Sequence, residues 1–153
     1  MRMSFMPSSP AVAMALIAFA CGPAVGAGMS KQEYQAGKKR IAVEYQAERQ
    51  KCGPLHGNAL DLCIARVHGA RDVAKAELEA AYKPSPRTDY DAAIARSRAA
   101  YAVDKEKCDE QRGAVRKACM NDAKAASERA RAAAKSALAA ALGSLPSSSR
   151  GGL

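Results

Sequence analysis

The segment KCGPLHGNALDLC at residues 51–63 returns 56 residues later as KCDEQRGAVRKAC at residues 107–119. Each copy holds two cysteines with ten residues between them. On one unbroken helix, side chains eleven positions apart share a face but lie about 16 Å apart along the axis. A disulfide tolerates a Cα separation of only about 4.4–6.8 Å, so a local bridge needs a turn between its two ends. The first copy supplies breakers at Gly53-Pro54 and Gly57-Asn58. Cys52 lies five residues before Gly57 and Cys63 five after Asn58, which places the two thiols at one level across an αα-hairpin.

Without a gap, the same register aligns Tyr34 with Tyr90, Arg40 with Arg96, Tyr45 with Tyr101, Gly57 with Gly113, Ala70 with Ala126 and Ala74 with Ala130. Alanine-rich sequence matches itself by chance, but two tyrosines, two cysteines and a glycine in one register mark a duplication. Ser30 followed by Glu33 is a capping box for a helix carrying Tyr34, Ile41, Tyr45 and Cys52. Asn58 with Asp61 predicts the start of a second helix. Its apolar residues Leu60, Cys63, Ile64, Val67, Ala70, Ala74, Leu78 and Ala81 keep the 3–4 spacing of one helical face. Pro84 and Pro86 end it, and Thr88 or Asp89 is the expected cap of a third helix through Tyr90, Ile94, Tyr101 and Cys108. A fourth helix is predicted from Gly113 to Leu142, with Gly143 as its C′ residue.

Two disulfide arrangements satisfy this layout. One joins Cys52 to Cys63 and Cys108 to Cys119 within the repeats. The other keeps longer helices and bridges between repeats, in the manner of the twin Cys-x9-Cys hairpins of the mitochondrial intermembrane space. The local pairing is the expectation, although repeat two has only Gly113 as a breaker.

The N-terminus reads as a secretion signal. Arg2 precedes the apolar run AVAMALIAFA (residues 11–20), and small residues follow. The run is too short for a bilayer span, which takes roughly 20 apolar residues. Cleavage after Val25-Gly26-Ala27 removes Cys21 and leaves four cysteines, an even number suited to an oxidising compartment. Cleavage after Ala18-Phe19-Ala20 would expose Cys21 for acylation as a lipoprotein, but bulky Phe19 suits a lipobox poorly.

The chain carries 24 Lys and Arg against 15 Asp and Glu, for a net charge of +9, with no Trp and two Phe. Both Phe, Phe5 and Phe19, lie in the signal, as does only one of the charges, Arg2. Opposite charges interleave along the remainder, the pattern of solvated helix faces. Alanine-rich helices form readily but bury little area per residue, so a thin core with covalent staples is expected.

Lys51-Cys52, Gly57-Asn58-Ala59, Asp61, Cys63, the segment AKAELEAAYKPSP at 74–86 and the second Lys-Cys copy resemble an uncharacterised family of small exported proteins of Gram-negative bacteria. The resemblance covers about residues 30–126. Members are often labelled as cell-envelope biogenesis proteins by compositional analogy with the Ala/Lys/Glu-rich stalk of TolA. The resemblance implies a periplasmic location and cleavage just before Met29-Ser30-Lys31. Repeat two departs from the family's Gly-Asn-Ala turn with Gly113-Ala114-Val115.

Cys52, His56, Cys63 and His68 are four soft or borderline ligands within one repeat. However, repeat two has Arg112 and Lys124 in place of the histidines, and disulfide sulfurs do not ligate. Ten intervening residues is the wrong spacing for thiol redox catalysis, and no nucleophile–base set converges for hydrolysis. The basic run from Lys117 to Lys135, including Lys124, Arg129 and Arg131, is diluted by Asp122 and Glu128. It has neither an aromatic platform for nucleic acid nor a lipid-burying face. Tyr34, Tyr45, Tyr90 and Tyr101 form one face of the first helix of each repeat, read as packing.

The expectation is therefore an all-α protein of two tandem helical hairpins, four helices in all, each hairpin stapled by a disulfide. Residues 1–27 form the signal peptide, 30–82 the first repeat, 83–89 a Pro-rich linker, 90–142 the second repeat and 143–153 a disordered tail. The functional expectation is a non-enzymatic periplasmic component of the cell envelope, with no catalytic residue, cofactor or nucleic-acid partner. Its partner would be an envelope protein or an anionic envelope surface. The alternative is a metal- or stress-related binding protein using Cys52, His56, Cys63 and His68.

Overall fold

The computed structural model describes residues 28–144. The expected signal peptide, with Cys21, and the expected disordered tail beyond Ser144 lie outside the described residues. Four helices follow one another: α1 (Lys31–Lys51), α2 (Gly57–Tyr82), α3 (Pro86–Asp109) and α4 (Gly113–Gly143).

The start of α1 is the expected capping box. Ser30 Oγ accepts the Glu33 N–H at 3.2 Å, and the Glu33 carboxylate accepts the Ser30 N–H at 2.7 Å. Those bonds hold the Glu33 carboxyl below the ordinary carboxylate range. The other boundaries move by a few residues. In α2 the N-cap is His56, with no side-chain cap bond, and Gly57 is the first helical residue. Asn58, expected to cap, instead donates from Nδ2 to the Glu106 carbonyl of α3 at 2.7 Å.

The N-cap of α3 is Ser85 rather than Thr88 or Asp89. Pro86 suits the first helical position, where its missing N–H costs nothing, and Thr88 closes the capping box with Ser85. The linker therefore shortens to Lys83–Ser85. Gly143 is the last residue of α4 rather than a left-handed C′, and Ser144 is the C-cap.

Both hairpin turns use the same device. Gly57 and Gly113 hold φ of +57° and +58°, the only positive values among the described residues. Glycine adopts this conformation without the Cβ penalty. The turn doubted in repeat two is thus the turn of repeat one, and one glycine suffices to make it. Pro54 ends α1 early because it has no N–H to donate; Glu110 stands at that position in repeat two, and α3 runs on to Asp109.

The disulfides are local. Cys52 bonds Cys63 with Cα atoms 5.7 Å apart, and Cys108 bonds Cys119 at 5.6 Å. Closing a loop of about a dozen residues contributes about 3 kcal/mol in the chain-entropy account.

Among the described residues each helix packs only on its neighbour in sequence: α1 on α2, α2 on α3, α3 on α4. The result is an open, single-layer serpentine of antiparallel helices, not a closed bundle. Its core is correspondingly thin. Among the described residues Ile41 and Leu78 are the only large aliphatic side chains that are buried, joined by Ala92, Ala123, Ala134, Cys52 and Cys108.

Because it lies between two helices, α2 needs two packing faces. The spacing argument found the one that carries larger side chains. The other is built of small residues: a Cβ on Gly69 would lie 2.8 Å from that of Ala99 on α3. Glycine and alanine give little hydropathy contrast, so this closest approach left no periodic signal. Among the described residues no helix is long and apolar enough to cross a membrane.

Candidate functional site: a groove repeated in both hairpins

Residues at corresponding positions of the repeats build a groove along each hairpin. In the first, Ile41, Val67, Ala70 and Ala74 form an apolar floor. Glu44, Tyr45 and Glu48 of α1 make one wall, and Arg66 and Arg71 of α2 the other, around a volume of about 260 Å³. In the second, Asp104 and Lys107 of α3 face Asp122 and Arg129 of α4 above Val115, Ala118, Ala123 and Ala126, with a volume of about 580 Å³. Glu48 and Asp104, Arg66 and Asp122, Val67 and Ala123, and Ala70 and Ala126 are equivalent across the duplication. Among the described residues neither groove has a helix over it, because a single layer leaves its faces uncovered.

The walls of the first groove carry opposite charges that do not meet. Glu44 pairs along its own helix with Arg40 at 3.7 Å, Glu48 with Lys51, and Arg71 with Asp72 at 2.8 Å. Among the described residues no ion pair joins α1 to α2. The Arg71 guanidinium lies over the Tyr45 ring, 4.7 Å from its centroid, which fixes one end of the basic wall.

Farther along hairpin one, the Tyr34 ring stacks on Tyr82 with centroids 4.2 Å apart. The Tyr34 hydroxyl donates to Glu79 Oε2 at 2.6 Å. This bond holds the Glu79 carboxyl below its usual range and raises the Tyr34 phenol above its own. The sequence reading placed Tyr34 and Tyr45 correctly as packing residues against α2. It missed Tyr82, Glu79 and Arg71, whose roles follow only once α1 and α2 are antiparallel and in register.

The four residues of the metal alternative do not assemble into a ligand set. Cys52 is 1% exposed and bonded to Cys63. His56 is exposed at the start of α2. His68 Nε2 sits 3.2 Å from the Tyr45 hydroxyl, and the two rings pack edge to face. Among the described residues no group of three or more His, Cys, Asp or Glu side chains converges on a possible metal position.

An apolar floor between charged walls can receive an amphipathic segment, with its apolar side down and its charges toward the rims. The two disulfides suit an exported protein in an oxidising compartment. No protein-family model, no curated protein and no solved structure matches the chain.

Proposed function

We propose that this chain is a non-enzymatic periplasmic protein that acts as a structural or interaction component of the cell envelope, recognising a helix of a partner through the groove of its first hairpin. One observation carries the reading: the groove is uncovered, its floor is apolar, and its acidic and basic walls do not neutralise each other across it. The partner helix would set an apolar side chain over Ile41 and Val67, basic residues toward Glu44 and Glu48, and acidic ones toward Arg66. The basic excess of the chain adds long-range attraction to an anionic envelope partner. The disulfides and the resemblance to exported envelope proteins support the compartment.

The test is photo-crosslinking in intact cells with a reactive side chain placed at Ala70, inside the groove, or at Lys39, on the exposed side of α1. A discrete adduct at Ala70 and none at Lys39 is expected. Equal labelling at both positions, or none at Ala70, overturns the reading.

A further inference from the structure

The second groove differs from the first in what forms its edge. It lies at the open end of the layer, where α4 has α3 on one side and, among the described residues, no helix on the other. One exposed stripe of α4 is nearly bare of charge, whereas Lys117, Lys124, Glu128, Arg131 and Lys135 stand on another exposed side of the helix. Val115, Ala118, Ala126, Ala133 and Ala137 fall on one helical face, all exposed, and Val115 is 62% exposed. At the opposite end of the layer, the exposed surface of α1 carries Lys38, Lys39, Arg40 and Arg49.

Two charges interrupt the apolar face of α4, and both line the groove: Asp122 and Arg129. Neither has an ion-pair partner among the described residues. Their spacing has a two-fold character. Counting from Ala126, Asp122 lies four residues before and Arg129 three after; Ala118 lies eight before and Ala133 seven after; Val115 and Ala137 lie eleven to either side. If a second α4 lies antiparallel with Ala126 over Ala126, each Asp122 falls one residue from level with an Arg129, within reach of its long side chain, and alanines or valine meet alanines elsewhere. An isologous interface requires this self-complementarity of a single surface.

We propose that the groove between α3 and α4 receives α4 of a second copy of this chain, antiparallel and centred on Ala126, so that two open layers join into a two-fold dimer. Two Asp122–Arg129 pairs, one on either side of the two-fold axis, set its register. Small side chains let the two helices approach closely, as Gly69 and Ala99 do between α2 and α3. A pair of helices in contact over about 22 residues spans about 33 Å and buries on the order of 1,000 Å², the lower end for a specific interface. The association is therefore expected in the micromolar range. It rests on the same reading of the hairpin grooves as helix acceptors, but leaves the first groove free for the envelope partner.

Sedimentation equilibrium of the purified, disulfide-bonded mature protein up to about 200 µM, well above a micromolar Kd, tests it. A monomer–dimer equilibrium is expected. Asp122→Arg alone and Arg129→Asp alone, both at exposed positions and checked for unchanged helicity by circular dichroism, should each weaken self-association at least tenfold. Mixed in equal amounts, the two variants should dimerise again, because each then presents the charges the other lacks. Wild-type protein that stays monomeric, a dimer indifferent to either substitution, or a mixture that stays monomeric overturns the proposal. Loss of the Ala70 adduct in cells with an intact dimer in solution would instead count against the envelope reading alone.

Discussion

Where α1 buries Ile41 against α2, α3 buries Ser97 against α4, and where α2 sets Leu78, α4 sets Ala134. Tyr34 of the first hairpin stacks on Tyr82 and donates to Glu79, but the equivalent Tyr90 has Leu138 and Lys135 in those places. The second hairpin substitutes a buried contact between hydroxyls, Ser97 Oγ to Ser127 Oγ at 3.1 Å, with the Ser127 carbonyl 3.2 Å from the same oxygen. Both hairpins nevertheless keep the same turn glycine and the same disulfide. The duplication has held on to the parts that dictate chain reversal and let the packing between the helices change. The second hairpin has smaller side chains at its seam, so the expectation to be tested is that it depends more on its sulfur bond.

The largest expected effect separates the hairpins on that point. Replacing Cys108 and Cys119 with alanine should cost about 3 kcal/mol and leave α4 without protection in hydrogen exchange. Replacing Cys52 and Cys63 removes the same loop constraint but should leave α1 protected, held by Ile41, Leu78 and the tyrosine stack. Equal loss of protection in the two would break the comparison.

Next in size are the close approaches. Gly69→Ala drives a methyl into Ala99, including its backbone, and should destabilise by about 1–3 kcal/mol despite the better helix propensity of alanine. Gly37→Ala meets only the flexible end of Leu78 and should be near neutral. Thermal melts of the two variants measure the difference.

The turns should not differ at all. Gly57→Ala and Gly113→Ala should each lose about 1 kcal/mol, since both force a Cβ into the left-handed region with open space around it. Unequal losses would show that the shared turn is not equally strained.

The smallest effect is the pH dependence of the Tyr34–Glu79 contact in hairpin one. The lowered Glu79 carboxyl contributes stability that is present above its unfolded pKa and lost as pH falls through the folded value. The raised Tyr34 phenol contributes stability that is present below its unfolded pKa and lost as pH rises through the folded value. The contact is therefore intact between the ordinary carboxylate and phenol ranges, about pH 4.3 to 10. Tyr34→Phe should flatten both limbs in melting curves followed against pH while sparing the ring stack with Tyr82.

The hairpins, their turns and the local disulfides were legible because cysteines, glycines and prolines are rare and position-specific. The capping box at Ser30 and Glu33 was legible for the same reason. The cap of α2 was misread because Asn58 is a good capping residue by type, yet the neighbouring helix offers it the Glu106 carbonyl. The small-residue face of α2, the open layer and the grooves were not legible. Alanine reads alike whether it lies against a helix or in water, and only the set of helix neighbours tells which. Ser97 and Ser127 gave no sign of burial, since serine is ordinary on exposed helix faces.

A serpentine in which helices meet only their sequence neighbours has a consequence for how it acquires its cross-links. Cys63 follows Cys52 by eleven residues and precedes Cys108 by forty-five. If the chain enters an oxidising compartment N-terminus first, as the proposed export implies, the leading hairpin can close and oxidise before the trailing thiols arrive. Contacts so local in sequence form fast, and the order of emergence itself guards against pairing the wrong sulfurs.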